Sequence, residues 1–404
     1  MTNSLTQNLL HHSVGRTVYK AKYSPKGVFD SMSDYLASGA SGEDQGLLIR
    51  EAYQAPQIYR SVFGPQLSPY LDGDMKEEGH EIWLASIMGG RIDTDKGSSI
   101  AVFNRNEELL GDVSFQFVKR PEGGYDHGQV RQNNIFQRTY LTKPHQVRGT
   151  VFSLLTGGGG NANFYHWFVD VLSRFVVLQE SDWQDEIDYF LVPNHALKFQ
   201  KETLQLLGIP EEKIIDGMKH PHLKADRLIV VSHPRTTTYH IPAFLCEYLQ
   251  QTFAELEIPS DESLGSHPFI YINRADAPKR KVTNEKEVEA VLAEFGFTSF
   301  ALSGLTLKQA IQLFRQAKMV VVPHGAGLTN LIFCPTGTDV LALFSDKFVN
   351  HYLYELAHGL TLKYDFLVGD PLNDHIIKSR YEGIEEDMKI DLHLLRKKVS
   401  EALG

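Results

Sequence analysis

From residue 267 to 360 short runs of Val, Ile, Phe and Leu alternate with longer amphipathic stretches. HPFIYI is followed by NEKEVEAVLAEF, FTSFAL by TLKQAIQLFRQA, MVVVP by LTNLIF, and DVLALF by HYLYELAHGL. The first of each pair reads as a strand and the second as a helix. Apolar strands without polar alternation suit a parallel sheet covered on both faces, so the fold class is α/β. Asn284 with Glu287 and Thr306 with Gln309 have capping-box spacing and predict two of the helix starts. A similar pattern begins at residue 150, where VFSLLT, IDYFLVP and RLIVVS read as strands and ANFYHWFVDVLSRFVVLQE and ALKFQKETLQLL as helices. The tail from 385 to 402 reads as a last helix.

A chain of 404 residues is too long for one ordinary core, which predicts two domains. Residues 1–78 read as an irregular N-terminal segment, 79–240 as a first Rossmann-like domain and 241–404 as a second. Between about 80 and 150 the runs EIWLASI, SIAVF and VSFQFV are strand-like, without βα alternation. The polar stretch EIPSDESLGSHP, after the helical run 241–256, marks the boundary region. A net charge of -10 argues against a general nucleic-acid binder. No apolar run is long enough for a signal peptide or a membrane span. Cys246 and Cys334, far apart and without a CxxC, read as reduced thiols of a cytoplasmic protein.

Three stretches carry chemistry. In the first, GGGGNANFYHW at 157–167, glycines precede a predicted helix. At 100° per residue Phe164, Trp167, Phe168, Val171, Leu172, Phe175 and Leu178 form a core stripe, and Asn163, His166, Asp170, Ser173 and Arg174 a neighbouring one. His166 and Asp170 are four apart, so a carboxylate can orient an imidazole as a general base. The plainer reading makes Asp170 and Arg174 a surface pair and His166 a half-buried histidine. Gly157, Gly159 and Ala162 also match GxGxxA with Glu180 beyond, a dinucleotide fingerprint, but the helix opens with bulky residues where that fold needs small ones.

The second stretch, YINRADAPKRKVTNEKEV at 271–288, puts Arg274 directly after a strand and Lys279, Arg280 and Lys281 in the following turn. Open α/β sheets hold ligands at such strand ends, and Arg gives paired hydrogen bonds to phosphates. A solvated basic turn is the alternative. The third stretch, MVVVPHGAGLTNLIF at 319–333, reads as a buried strand, a small turn of His324, Gly325, Ala326 and Gly327, and a helix opening at Leu328 or Thr329. Small residues admit a ligand, and a helix start favours an anion. A tight βα turn with His324 as packing is the alternative.

Together these stretches resemble glycosyltransferase family 61. Its N-Y-Y-H-W-x-x-D helix corresponds to Asn163–Asp170, with Phe164 for the first Tyr. Its S-R…R…N-E turn corresponds to Asn273, Arg274, Arg280, Asn284 and Glu285, and its P-H-G-A-G-L-T-N loop to Pro323–Asn330. The family's bacterial capsule and exopolysaccharide branch also carries G-G-R and L-L-x-D-x-S segments, which Gly89, Gly90, Arg91 and Leu109, Leu110, Asp112, Ser114 resemble. The resemblance implies a GT-B-like fold, two Rossmann-like domains facing across a cleft, and transfer from a nucleotide-diphosphate sugar to a glycan hydroxyl with inversion. It implies His166 and Asp170 as catalytic residues. Arg274, Arg280, His324, Gly325, Ala326, Gly327, Thr329 and Asn330 would bind the donor. Gly158, Gly159, Asn163, Tyr165, Trp167 and Arg174 would line the acceptor side. Ala342 stands where relatives often have a Glu that could hold the donor ribose. The implied partners are a nucleotide sugar and a glycan acceptor, free or lipid-linked, with peripheral membrane association open and no nucleic acid. No cofactor or metal is expected; Asp72-Gly73-Asp74 and Asp93-Thr94-Asp95 match D-x-D but read as turns. A nucleotide-sugar epimerase, a dehydrogenase and a non-catalytic binding module remain as alternatives.

Overall fold

The Val- and Ile-rich runs of the second half become the strands Phe269–Ile272, Thr298–Phe300, Met319–Pro323 and Asp339–Phe344 in a computed structural model of the chain. Lys363–Val368 adds a fifth. The structure describes residues 23–54, 62–66, 78, 79, 81–119, 125–138, 141–157, 160, 162–235, 241–374, 376 and 383–404. Two compact units divide the chain. Met1–Tyr53, Gly79–Lys119 and Tyr125–Thr238 belong to the first, and Gln54–Glu78, Arg120–Gly124 and Tyr239–Gly404 to the second.

In the second unit the five strands are all parallel. Taken in chain order, they lie 2-1-3-4-5 across the sheet. The order reverses between Phe269–Ile272 and Met319–Pro323. In doubly wound sheets a ligand crevice opens at the carboxyl ends of the strands at such a switch point. One face packs Tyr271, Val321, Leu341 and Leu343 against Val288 and Leu395. The other carries Phe63, Ala342, Phe344 and Val349. Each such side chain contributes about 1.5–3 kcal/mol by leaving water, which holds the strand ends firmly in place.

Both predicted helix starts are present, Glu285–Glu294 after Asn284 and Leu307–Arg315 after Thr306, but the side-chain box forms at one of them. Thr306 and Gln309 form the reciprocal box that opens Leu307–Arg315. Asn284 instead bonds the C-terminal segment, donating to the Ile390 carbonyl at 2.9 Å and accepting from its N–H at 3.0 Å. The last helix runs Leu392–Leu403, capped by Asp391, so it starts later than the sequence pattern suggests.

The first unit is a mixed sheet. Ile214–Asp216, Tyr189–Val192, His145–Ser153 and His222–Val231 lie side by side and parallel. Ile82–Met88 and Arg91–Thr94 then run antiparallel to His222–Val231. A core of Trp83, Ile87, Val151, Leu191, Leu228 and Val230 joins the two parts. The N-terminal segment read as irregular supplies strands Gly27–Phe29 and Gln45–Arg50 and the helix Met32–Ala37. Its strands hide from periodicity because one is three residues long and the other leaves Leu47 and Leu48 exposed. Among the described residues no helix is long and apolar enough to cross a membrane. Cys246 and Cys334 are buried free thiols.

Candidate functional site

Two groups of side chains gather at strand carboxyl ends, one in each unit. In the first unit the loop after His145–Ser153 leads into the segment 164–179. The single α-helix expected there is interrupted: α-helical Phe164–His166 and Ser173–Gln179 flank a π-helical Trp167–Leu172. Such wide turns are rare and recur at functional sites. Asn163 caps the start, its Oδ1 accepting from the N–H of Tyr165 at 2.9 Å and of His166 at 3.4 Å.

His166 Nδ1 lies 2.6 Å from Asp170 Oδ2. The imidazole is 34% exposed and the carboxylate 7%, so one partner reaches solvent and the other is shielded. The second carboxylate oxygen, Oδ1, lies 2.5 Å from Arg235 Nε. Burial opposes the charge on Asp170, but Arg235, the bond and charge of His166, and His233 hold its pKa well below the usual carboxylate range. Arg174 is buried too, its Nε donating to the Leu155 carbonyl at 3.1 Å. Burial pushes it down to about 10, with Asp170 acting against the shift. The reading of Asp170 and Arg174 as a surface pair is therefore overturned: both lie inside.

The remaining residues of this group divide. Tyr165 is half-buried, its ring 5.8 Å from the Arg235 guanidinium carbon. Trp167 is fully buried with its ring 6.2 Å from that of Phe199, a core position. A Cβ at Gly157 would overlap the Phe117 ring, and one at Gly160 would press on Thr156 and Val171. Packing therefore explains glycine at both. Gly158 and Gly159 lie outside the described residues. Glu180, the acid of the dinucleotide fingerprint, pairs with Arg50 at 3.0 Å.

In the second unit both chemical stretches flank the switch point. Arg274 follows Phe269–Ile272 and donates to the Lys279 carbonyl from Nη2 at 3.1 Å and from Nε at 3.3 Å, closing the basic turn. Its guanidinium lies against Gly325, where a Cβ would overlap it. The second and third stretches thus meet, and Gly325 is glycine because an arginine occupies the space. Arg280 has a left-handed backbone, φ 58, which is strained for a non-glycine residue. Burial lowers the proton affinity of both arginines, and Arg280 adds to the effect on Arg274. Among the described residues neither forms an ion pair within 4.0 Å. Glu285 accepts from the Tyr271 hydroxyl and pins the helix beside this turn.

His324 extends the sheet through its N–H to the Leu343 carbonyl at 2.8 Å. Its ring stacks on Phe344 at 5.2 Å, and Asn350 Nδ2 donates to its Nε2 at 2.7 Å. Burial, then Arg280 and Arg274, pushes it down to about 3, so it is a neutral imidazole at physiological pH. The helix after the turn is a 3₁₀-helix, Ala326–Phe333, rather than an α-helix from Leu328 or Thr329. Six consecutive residues, Leu328–Phe333, are buried, so this helix is covered on all sides. Asn330 donates to the Gly327 carbonyl at 2.8 Å and braces its own turn. Thr329 is fully buried, and its hydroxyl has no partner among the described residues.

Ala342 lies inside the apolar cluster of Phe63, Phe344 and Val349, a core position. Asp93 is in a strand rather than a turn, paired with Arg138 and 3.7 Å from His222. Asp95 does form a turn, Oδ1 accepting from the N–H groups of Gly97, Ser98 and Ser99. Asp72 and Asp74 lie outside the described residues. Arg91 stacks on Phe103, Asp112 accepts from Met32 N–H and Ser114 from Val102 N–H, so these branch-motif residues brace the sheet. Sequence reading missed Arg235 and Asn350. Arg235 stands just after the strand His222–Val231, the same placement that singled out Arg274.

A family model described as Glycosyltransferase 61 matches residues 164–341. A beta-1,2-xylosyltransferase of rice, Oryza sativa subsp. japonica, is 27% identical over 252 residues, which takes in 57% of this chain and 43% of the rice protein. The chain thus spans less than half the length of that relative. The family match reaches from the His166 helix to the strand beside His324, and with the rice alignment it shows that this stretch is similar to glycosyltransferases of family 61.

Proposed function

We propose that this protein is an inverting glycosyltransferase that moves a sugar from a nucleotide-diphosphate donor to a hydroxyl of a glycan acceptor. The observation that carries the reading is the meeting of Arg274, Arg280 and the glycine turn at the switch point of a parallel sheet. Two half-buried cations that among the described residues form no ion pair, beside a neutral histidine, suit a dianionic diphosphate. Inversion is one in-line displacement. His166 Nε2 takes the proton of the acceptor hydroxyl as its oxygen bonds the anomeric carbon. The bond from that carbon to the diphosphate oxygen breaks, and its electron pair leaves on the diphosphate. Arg274 and Arg280 neutralise that charge, the kind of preorganised stabilisation whose loss costs about 3–4 kcal/mol of barrier per donor group.

The cations take the role a metal plays elsewhere, so transfer is expected to survive EDTA. Xylose is the first donor sugar to try, because the rice protein carries that activity in its name. Whether hexose or pentose moves, a role in bacterial surface polysaccharide synthesis and a cytoplasmic location rest on the sequence resemblance. The test is a panel of UDP-, GDP- and CMP-sugars read by thermal shift, then transfer to oligosaccharides with and without EDTA. A ligand at a hundred times its Kd adds about 2.7 kcal/mol to stability. A panel with no stabilising nucleotide and no transfer would remove the proposal; stabilisation without turnover would favour a binding module.

A further inference from the structure

The strand His222–Val231 lies parallel to His145–Ser153, so the chain after each emerges at the same edge of the sheet. That topology brings Arg235 to the helix that carries His166. Arg235 is 7% exposed, and its Nε stands 2.5 Å from Asp170 Oδ1 while His166 holds Oδ2. Asp170 therefore bridges an imidazole and a guanidinium. We propose that Arg235 is a positioning residue that keeps Asp170 ionised and thereby fixes the tautomer in which His166 can accept a proton.

The argument is about where one proton sits. A carboxyl as buried as Asp170 prefers to be neutral. A neutral Asp170 would donate to His166 Nδ1, leaving the ring proton on Nε2, the nitrogen that has to act as base. An ionised Asp170 accepts from Nδ1–H and leaves the Nε2 lone pair free. The groups facing the carboxylate are His166 and Arg174 on its own helix and Arg235 and His233 from the segment after the strand, with His127 behind His233. Burial keeps His233 largely neutral, and Arg174 Nε is turned to the Leu155 carbonyl. Among the described residues Arg235 is the arginine in ion-pair contact with the acid.

This inference rests on His166 as the base, and its test separates the two. Native protein, Arg235→Gln and Arg235→Lys are compared by 15N NMR of the His166 ring at neutral pH and by kcat and KM. Thermal melts check that each variant is folded. The Nδ1–H tautomer is expected in the native protein and in Arg235→Lys, and the Nε2–H tautomer in Arg235→Gln. In Arg235→Gln kcat should fall about ten- to hundredfold, at the lower end of what general-base catalysis contributes. Both KM values should stay within about twofold, since a positioning role acts on the chemical step. The acid limb of its pH–rate profile should also move. A native tautomer in Arg235→Gln overturns the proposal, whatever the rate does. A flipped tautomer with native kcat supports the Arg235 role and removes His166 from the base role. If Arg235→Gln does not fold, a flipped tautomer in folded Arg235→Lys overturns the proposal, because the positive charge is retained there.

Discussion

The two units hold charge in opposite ways. In the first, Asp170 is met on both oxygens, by His166 and by Arg235, and the network closes on itself. In the second, Arg274 turns to a backbone carbonyl, and Arg280 sits on a strained backbone beside a histidine that burial keeps neutral. A closed network gains nothing from a further ion and keeps its geometry, which suits moving one proton. Half-buried cations that among the described residues form no ion pair keep more of their field for a ligand, which suits holding an anion. The contrast teaches that positive charge alone does not mark a phosphate site: Arg235 is as cationic as Arg274 and more deeply buried, yet it stands against the Asp170 carboxylate.

This division of labour is easiest to break at His166. His166→Ala should lower turnover by about a thousandfold, within the range for losing a general base. Nucleotide-diphosphate affinity, measured by calorimetry, should stay within about twofold of native. A parallel collapse of binding would mean that proton transfer and anion binding are not separate. Arg280→Ala comes next and should act in the opposite sense. Losing a charged hydrogen-bond donor costs about 1.5–3 kcal/mol, so diphosphate affinity should fall about ten- to hundredfold. Gly325→Ala in the same site should weaken binding by about tenfold, because the new Cβ displaces the Arg274 guanidinium. Native affinity in Gly325→Ala would show that the position of Arg274 against that turn is irrelevant to the ligand.

How much of this was legible in the sequence depended on range. Strands of the second half announced themselves because each is a continuous apolar run buried on both faces, as Met319–Pro323 is. The His166–Asp170 contact was legible because four residues on a helix are neighbours. The π-helical turn between them was not, since no residue there breaks helical propensity and the wide turn follows from packing. Asn284 has cap spacing, yet its amide found Ile390, 106 residues away, a partner no local rule can see. Arg235 was passed over because its acid lies 65 positions earlier in the chain. Only the pairing of His145–Ser153 with His222–Val231 makes them neighbours. Ala342 stands where relatives often have a Glu; one of its neighbours, Phe63, lies nearly 280 residues earlier in the chain, beyond any local rule.

The smallest expected effect lies at the edge of the second site and asks how open its cations are. Lys279 pairs with Glu385, and the same carboxylate adds to the field at Arg280. Both partners of the pair are about half exposed, so water and salt screen it, and such pairs are worth about 0–1 kcal/mol. Glu385→Gln removes the negative charge and keeps the shape. A diphosphate arriving at Arg274 and Arg280 then meets one anion fewer, and its affinity should rise by at most about fivefold at low salt. The gain should shrink as ionic strength rises, because the Debye length falls to about 8 Å at 0.15 M. His166-dependent turnover at saturating donor should not change, since none of the groups that face Asp170 and His166 is altered. A loss of affinity in Glu385→Gln would reverse the picture: the carboxylate would then be holding Lys279 and its turn in the shape the ligand needs, and the second site would be as closed a network as the first.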